Sequence, residues 1–500
     1  MRFLCFRSVF AFSGVAILAL AGSATAQIPT LRVYTSFAGQ YDTNMGWRTD
    51  YGNPSVRNPM GEPTVAAGVY EGQTRVVLAA DNSIGQFYDA LNGPDNIHNA
   101  QQDLASTFAG VLPSGYNVSQ PQVLHDVSPF QLPGQPVQML DRFVTIAEAY
   151  DPKTHASRIV GWATSYNVVG ENGQCLFWFN VNDSATNSFF ADEPRIGYSA
   201  NAFLITANLY SNADGTFQHA KLWTVAKTNV YNDPSAGTCP AFPAPKSLVL
   251  NQRNADGSLP FSVTPARNSS GTETGYMVNS LLNGGSILTM WVLDTTKPAV
   301  ITGKYAHVSV DKYSVPPKAE QSGTSALINT WGTRIFNAAY RASNGLWTVN
   351  TTACTPPGDT VQRSCLQWYE LDPKSFTVRQ QGVLSSAGYY YYAPAIAVNP
   401  FGDAVVVFNE SSANHYVGIF ATGRYHTAPV NTMQGSIPVK SGEGCYVRST
   451  GSNTVSMHSD ATLDPIYSGV FWIHSAYVYG SDSTCQNNDW ATGVAALEFK

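Results

Sequence analysis

Acidic, basic and tyrosine side chains recur just ahead of several short apolar segments, where they could bind or cleave a sugar. The two candidate catalytic carboxylates are Asp141 and Asp192. Such a pair hydrolyses a glycosidic bond when one acid protonates the leaving oxygen and the other attacks or activates water. The candidate binding residues, which offer guanidinium, amide, phenol or carboxylate groups to a sugar or an anion, are Arg142, Asp192, Arg195, Asn337, Tyr391, Tyr392 and Asp460. The alternative is structural, because acids in loops also accept backbone N–H bonds.

Asp192 is the strongest of these candidates because it opens the clearest repeat, "DEPRIGYSANAFLITANLY" at 192–210. Pro194 predicts an extended Glu193, which would hold the loop in place. Arg195 begins the following strand, so we expect a cation near the Asp192 carboxylate that keeps it ionised at neutral pH. This predicts ligand anchoring or nucleophilic attack at Asp192, with a structural loop anchor as the alternative.

Short strands must position these residues. Runs such as "RVVLAAD", "AFLITANLY" and "GVFWIHSAYVY" have strand length and a β-branched or aromatic content, and convincing amphipathic helices are absent. A strand of small residues, a Gly, Asn or Asp turn and a more apolar strand recur together in about seven units. We therefore predict an all-β fold, a single β-propeller of about seven four-stranded blades over residues 27–500. A pair of β-sandwiches or a β-helix is the alternative.

Propeller geometry brings the candidate residues together. The loops that enter the inner strands converge on one mouth of the central channel, so residues that precede those strands should meet there. On this interpretation "DRFVTIAEAY" at 141–150 and "YYYYAPAIAVNP" at 389–400 contain inner strands. The four tyrosines should point alternately to the mouth, where they suit carbohydrate, and to the next blade, where they would seal the joint. The segment "LRVYTSF" at 31–37 is expected to complete the last blade and close the ring.

Several of these motifs resemble one family of proteins. The order of "PTVAAGVYEGQTRVVLAADNSIGQFYDALNG", "DEPRIGYSANAFLITANLY", "LQWYELDP", "PAIAVNPFGDAVVVF" and "LDPIYSGVFWIHSAY" is similar to that of exported bacterial β-propeller proteins of mostly unassigned function. These are distantly similar to sialidase- and glycosidase-type propellers. The resemblance implies the fold more than an activity. The stretch "YVRSTGSNTVSMHSD" at 446–460 departs from the basic-aromatic Gly-Asp-Tyr pattern that such proteins often carry there.

Common catalytic and metal-binding motifs are missing from the sequence. It contains no H-E-x-x-H, G-x-S-x-G, P-loop, EF-hand or sialidase Asp-box motif, and its nine histidines lack paired spacing. We therefore predict no metal site and no cofactor. The two "NADG" segments, at Asn212 and Asn254, have oxygen ligands suited to a structural calcium ion, but a pair of β-turns explains them more simply.

The first 26 residues predict export. Arg2 and Arg7 precede a short apolar stretch, and "ATA" at 24–26 is a cleavage site of small residues. Six cysteines follow, which allow 15 disulfide pairings. Chain order favours Cys354–Cys365, and Cys175–Cys239 and Cys445–Cys485 then follow by default. We therefore expect a secreted or periplasmic monomer that does not insert into membranes.

The charge pattern limits the partners of the chain. Its formal net charge is −6, and it has no basic run, which argues against nucleic acid as a partner. The leading functional hypothesis is a non-catalytic extracellular protein that binds a glycan or another protein. The alternative is a carbohydrate-active hydrolase or lyase that uses carboxylates at the channel mouth.

Overall fold

The computed structural model describes residues 28–41, 62–70, 73–87, 90–92, 99–126, 129–130, 138–139, 142–164, 175–231, 239–341, 345–448, 453–485 and 488–500. The predicted signal segment and the candidate acid Asp141 lie outside these residues. The α-helical content of the described part is one turn, α1 (Leu104–Thr107), and two 3-10 turns span Ala90–Asn92 and Lys227–Asn229. The predicted all-β class is confirmed. No helix among the described residues is long and apolar enough to cross a membrane.

Five sheets consist of four antiparallel strands each. The strands of each sheet are given from the innermost strand outward. The first sheet consists of β2 (Thr64–Tyr70), β3 (Gln73–Ala80), β4 (Ser83–Phe87) and β5 (Asn99–Asp103). The second sheet consists of β6 (Asn117–Asp126), β9 (Arg142–Tyr150), β10 (Ser157–Thr164) and β11 (Cys175–Asn180). The third sheet consists of β16 (Thr264–Pro265), β18 (Thr274–Ser280), β19 (Gly285–Asp294) and β20 (Thr302–Tyr313). The fourth sheet consists of β27 (Tyr390–Val398), β28 (Ala404–Ser412), β29 (His415–Arg424) and β30 (Ile437–Lys440). The fifth is β31 (Asp460–Leu463), β32 (Val470–Tyr479), β33 (Asp489–Phe499) and β1 (Leu31–Tyr41).

A sixth, nine-stranded sheet joins two further runs of antiparallel strands through a two-residue strand, β17 (Arg267–Asn268). The first run is β12 (Phe189–Tyr198), β13 (Ala202–Ser211), β14 (Phe217–Ala226) and β15 (Lys246–Leu250). The second is β23 (Ile335–Arg341), β24 (Gly345–Cys354), β25 (Arg363–Asp372) and β26 (Thr377–Leu384). Two small hairpins complete the list of strands, β7 (Pro129–Phe130) with β8 (Gln138–Met139) and β21 (Ala319–Gln321) with β22 (Thr324–Ile328).

The sheets are arranged as a closed β-propeller. The inner strands contact one another in chain order around a central channel, and the last, β31, contacts the first, β2. The ring is closed by β1, which pairs with β33 from Leu31–Phe499 to Tyr41–Ala491, as the sequence predicts for residues 31–37. The propeller arrangement is therefore confirmed. Its blade count is five separate blades rather than the seven expected, because the other two strand runs are merged in one sheet.

The inner strand of the second sheet is not the predicted one. Strand β6 lies at the channel, and β9, which begins at Arg142, is the second strand of that blade. The segment "NVSQPQVLHD" of β6 contains several polar residues, so it lacks the apolar signal of a buried strand. Arg142 pairs with Asp126 where β6 ends, and it therefore lies at the opposite end of the channel from Asp192.

A β-bulge that contains a proline recurs near the start of three inner strands and explains the repeated prolines. In β6, β12 and β27, two residues of the inner strand oppose one residue of the second strand. The first bulge residue is left-handed and precedes proline in each case: Gln120 (φ 55°), Glu193 (φ 53°) and Ala393 (φ 53°). The prediction of an extended Glu193 is therefore wrong, because the bulge overrides the usual preference before proline.

Asp460 ties the inner strands together in the middle of the channel. Its Oδ2 accepts hydrogen bonds from the Thr64 hydroxyl (2.8 Å) and the Val65 N–H (2.9 Å), and forms an ion pair with Arg267 (2.7 Å). Its Oδ1 accepts from the Asn337 amide (3.3 Å), whose own oxygen accepts from the N–H of Ile396 on β27 (2.9 Å). This network separates a front mouth, where the inner strands begin, from a back mouth, where they end.

Three disulfides join the pairs that chain order predicts, Cys175–Cys239, Cys354–Cys365 and Cys445–Cys485. Cys354 and Cys365 lie on the neighbouring strands β24 and β25, and their bond closes the turn between these strands. The other two bonds hold longer segments against their blades.

We predict that Asp460→Asn destabilises the protein by about 3–5 kcal/mol, because it leaves the largely buried Arg267 without its anion. Urea unfolding followed by tryptophan fluorescence measures the difference. Asp311→Asn, at an exposed position, is the matched control and should change stability by no more than about 0.5 kcal/mol. A loss below about 1 kcal/mol in Asp460→Asn would show that the network is not what holds the inner strands.

Candidate functional site

Three of the carboxylic acids at the front mouth, Glu62, Glu148 and Asp192, are called here the front acids. Glu62 stands two residues before β2, Glu148 lies on β9 opposite Ser119 of β6, and Asp192 lies beside the bulge of β12. Glu62 and Glu148 are only 5% and 8% exposed. The carboxylates of Asp192 and Glu62 both raise the pKa of Glu148. The three groups therefore act as one electrostatically coupled cluster.

Burial sets the acidity of the front acids. It is the largest cause of a pKa well above the ordinary value at both Glu62 and Glu148, and neighbouring carboxylates raise both values further. Burial also raises the pKa of Asp192 to about 6, although a hydrogen bond from Gln120 and the charge of Arg195 oppose the rise. Because like charges repel, ionisation of one front acid opposes ionisation of the next.

Arg195 supplies a buried cation beneath the front acids. Its side chain is 3% exposed, and its guanidinium carbon lies 4.7 Å from the centroid of the Phe336 ring. Within the described part of the chain no carboxylate forms an ion pair with it, and its Nε and Nη2 atoms have no hydrogen-bond partner. The expected contact with Asp192 is not formed, since the Gln120 amide donates to that carboxylate instead (2.9 Å). Arg195 acts on Asp192 through its field alone.

Glu193, the bulge neighbour of Asp192, has a structural role. Its carboxylate accepts hydrogen bonds from the Ser262 hydroxyl (2.6 Å) and the Asn208 amide (3.3 Å), and it lies 3.7 Å from Nε of Arg334. Its N–H donates to Gln120 (2.8 Å). These contacts hold the bulge, and the bulge in turn fixes the direction of the Asp192 side chain.

Five partly exposed aromatic residues, called here the aromatic rim, border the front acids. Consecutive rings of the rim are in contact, with centroids 4.9–5.8 Å apart, in the order Tyr150, Phe190, Tyr210, Phe217 and Phe261. Burial and the charge of Glu148 raise the pKa of Tyr150, and burial and the charge of Asp192 raise that of Tyr210, so the rim adjoins these two acids. Flat rings with polar tips suit the stacking of sugar rings.

The other predicted site residues have different surroundings. Asn337 and Asp460 belong to the network inside the channel. Tyr391 and Tyr392 are buried, and their hydroxyls contact Ser436 and Ser411. This favours the alternative role of the tyrosines, as packing between blades.

Arg142 lies outside the front mouth. It is buried at the back end of its blade, with its guanidinium carbon 5.0 Å from the Tyr231 ring. Nearby, Asp126 pairs with Lys227 (2.7 Å). Its assignment to a site shared with Asp192 is therefore wrong, and the cause is the mistaken inner strand. Asp141 lies outside the described residues.

Sequence reasoning missed two of the three front acids. Glu62 is the acid of "EPTV", and Glu148 is the single acid in "RFVTIAEAY", whose other described residues are nearly all buried. An isolated acid inside a buried strand is the signal that could have identified Glu148, because a buried carboxylate is rare without a function or a partner.

Two cavities lie along the channel. A cavity lined by Arg195, Gln122 and Phe336 has a volume of about 10 Å³, whereas one of about 310 Å³ opens at the back mouth. Among the described residues, no group of three or more His, Cys, Asp and Glu side chains could hold a metal ion. In the two "NADG" segments, Asp214 and Asp256 accept hydrogen bonds within their own turns.

Comparison with known proteins finds distant structural similarity but no family. No family model matches the chain, and no curated protein sequence matches it significantly. An α-L-arabinofuranosidase of Fusarium graminearum in complex with arabinobiose is 10% identical over 92% of this chain and 97% of that one, with a TM-score of 0.40. A Trypanosoma rangeli sialidase is 10% identical over 77% and 59% (TM-score 0.36), and the endosialidase of phage phi92 is 9% identical over 95% and 69% (TM-score 0.39). The distant resemblance to such propellers is confirmed, and no activity follows from it.

We predict that Glu148→Gln makes the protein more stable at neutral pH. A carboxyl whose pKa is raised on folding binds its proton more tightly in the folded state, so the free energy of unfolding falls as the pH rises above about 4, the unfolded value. The amide removes this penalty. At neutral pH we expect the melting temperature of Glu148→Gln to exceed that of the wild type by about 1–2 °C for each kcal/mol gained in the free energy of unfolding. Near pH 4 the two melting temperatures should be almost equal.

Glu443→Gln is the control, since Glu443 is exposed and forms a surface ion pair with Lys440. It should leave the melting temperature almost unchanged at both pH values. A neutral-pH melting temperature of Glu148→Gln below that of the wild type would contradict the interpretation of Glu148 as an unstabilised acid.

Proposed function

We propose that the protein is a carbohydrate-active hydrolase that cleaves a glycosidic bond at the front mouth. The observation that carries this proposal is the cluster of front acids, in which burial raises the pKa of Glu62 and Glu148 well above the ordinary value and that of Asp192 to about 6. We infer that one carboxyl group of the cluster keeps its proton while a neighbour ionises. Such a division of states is what an acid and a base or nucleophile require in one site.

Each front acid has a role in this proposal. Glu62 or Glu148, whichever keeps its proton, donates it to the glycosidic oxygen as the bond to the sugar breaks. Asp192, ionised and held by Gln120, attacks the anomeric carbon or removes a proton from the attacking water. The charge of Arg195 favours the ionised state of Asp192. The aromatic rim provides a surface on which neighbouring sugar units stack.

A second candidate function is glycan binding without turnover. It is favoured by the aromatic rim, whose five partly exposed rings are in contact and form a surface on which a long or branched glycan can stack. In this case the front acids would contact sugar hydroxyls.

We further propose an extracellular or periplasmic monomer with seven blades. The three disulfides support a location outside the reducing cytoplasm. The two four-stranded runs in the nine-stranded sheet support two additional blades, joined where β17 runs beside β12. Gly197 permits this close approach, because a Cβ there would lie 2.4 Å from the backbone oxygen of Ala266.

The test is a polysaccharide panel assayed for binding and for the release of reducing ends. With a substrate that the wild type cleaves, we expect Glu148→Gln, Glu62→Gln and Asp192→Asn to identify the acid and the base. Loss of the proton donor or of Asp192 should lower kcat by about 10²–10⁴-fold with a smaller effect on binding.

Glu443→Gln should retain wild-type turnover. Binding without product release by the wild type would favour the second candidate. Neither binding nor release on any polysaccharide would contradict both functions, and full turnover in all three variants would remove the front acids from the mechanism.

A further inference from the structure

The back mouth contains a cavity separate from the front acids. Its volume is about 310 Å³, at the lower end of the roughly 300–1,000 Å³ of small-molecule sites. The ends of the inner strands supply its apolar walls, including Leu124, Ile396 and Leu463. It opens to the surface, because Pro400 and Ser468 at its rim are exposed.

Arg341, the last residue of β23, places a cation in this apolar cavity. Its Nε donates to the carbonyl oxygen of Val398 (2.9 Å), which fixes the guanidinium at the cavity wall. No carboxylate of the described residues lies within ion-pair distance of it. Its two terminal nitrogens therefore retain donors for a ligand in the cavity.

The remaining charged groups of the wall are already engaged. Arg267 is paired with Asp460 (2.7 Å). Both carboxylate oxygens of Asp464 accept hydrogen bonds. Oδ2 accepts from the Trp472 indole (2.9 Å) and the Thr74 hydroxyl (2.8 Å), and Oδ1 accepts from two backbone N–H groups of the following turn. Of the charged groups that line the cavity in the described part of the chain, Arg341 is therefore the one with donors left for a ligand.

A second polar group complements Arg341. Tyr198, the last residue of β12, lines the same cavity beside Ser269. Burial raises the pKa of Tyr198 to about 12, so its hydroxyl keeps its proton at neutral pH and can donate it in a hydrogen bond. A planar guanidinium and a hydroxyl above apolar walls match one ligand chemistry, a carboxylate attached to an apolar body.

We propose that the back cavity binds a small organic carboxylate with an apolar body. The carboxylate would accept from the terminal nitrogens of Arg341 and from the Tyr198 hydroxyl, and the body would contact the aliphatic walls. This site does not depend on the proposed function of the front mouth, because the network of Asp460 and Arg267 lies between them.

The test is isothermal titration of the full chain with benzoate, benzamide and acetate. We expect benzoate to bind at least about tenfold more tightly than benzamide, which lacks the charge, and than acetate, which lacks the apolar body. Arg341→Gln should weaken benzoate binding at least about tenfold, and Arg341→Lys should retain part of it. Arg253→Gln, which alters an exposed arginine far along the outer surface, should bind like the wild type.

Three results would overturn the proposal: no benzoate binding by the wild type, equal binding of benzoate and benzamide, or unchanged binding in Arg341→Gln. The melting temperature of each variant shows whether it is folded. If Arg341→Gln does not fold, the proposal is tested by the melting temperature of the wild type with each ligand. Benzoate should raise this temperature and benzamide should not.

Discussion

The ion pair between Asp460 and Arg267 is the interaction on which the arrangement of the channel depends. Through hydrogen bonds to Thr64 and Val65 and through Asn337 to β27, Asp460 connects inner strands that are far apart in the chain. Arg267 belongs to β17, the short strand between the two merged runs of the nine-stranded sheet. A single charged pair thus holds the centre of the ring and divides one channel into two mouths with different chemistry.

The front mouth concentrates charge that the fold does not neutralise. Glu193 is neutralised by Arg334 and two hydrogen bonds, whereas the buried Glu62 and Glu148 have raised pKa values. Groups of this kind lower stability at neutral pH, and they persist where they take part in binding or catalysis. Glu193, whose carboxylate has a cation and hydrogen-bond donors, therefore belongs to the scaffold of the site. Glu62 and Glu148, whose charged forms the fold does not stabilise, are its candidate functional groups.

Sequence patterns predicted the architecture better than they predicted the site. The small-residue and apolar strands, the closing strand at 31–37 and all three disulfides follow from chain order and composition. Asp192 was selected because it opens the clearest repeat, shortly before Pro194. Glu148 was missed because it lies on a second strand, and Arg142 was misplaced because β6 is too polar to be recognised as the inner strand. Which strand of a blade faces the channel is decided by packing between blades, and local sequence carries little of that information.

The central claim is that a glutamic acid at the front mouth remains protonated at neutral pH. Infrared difference titration of the wild type against a Glu62→Gln and Glu148→Gln double variant measures this directly. We predict that the carbonyl band of protonated carboxyl groups is stronger in the wild type at neutral pH, even though other buried acids such as Asp81, whose pKa is raised to about 7, contribute to both spectra. The excess band should disappear as the pH rises. Equal bands in the two proteins at every pH above about 5, where ordinary glutamic acids are ionised, would contradict the account.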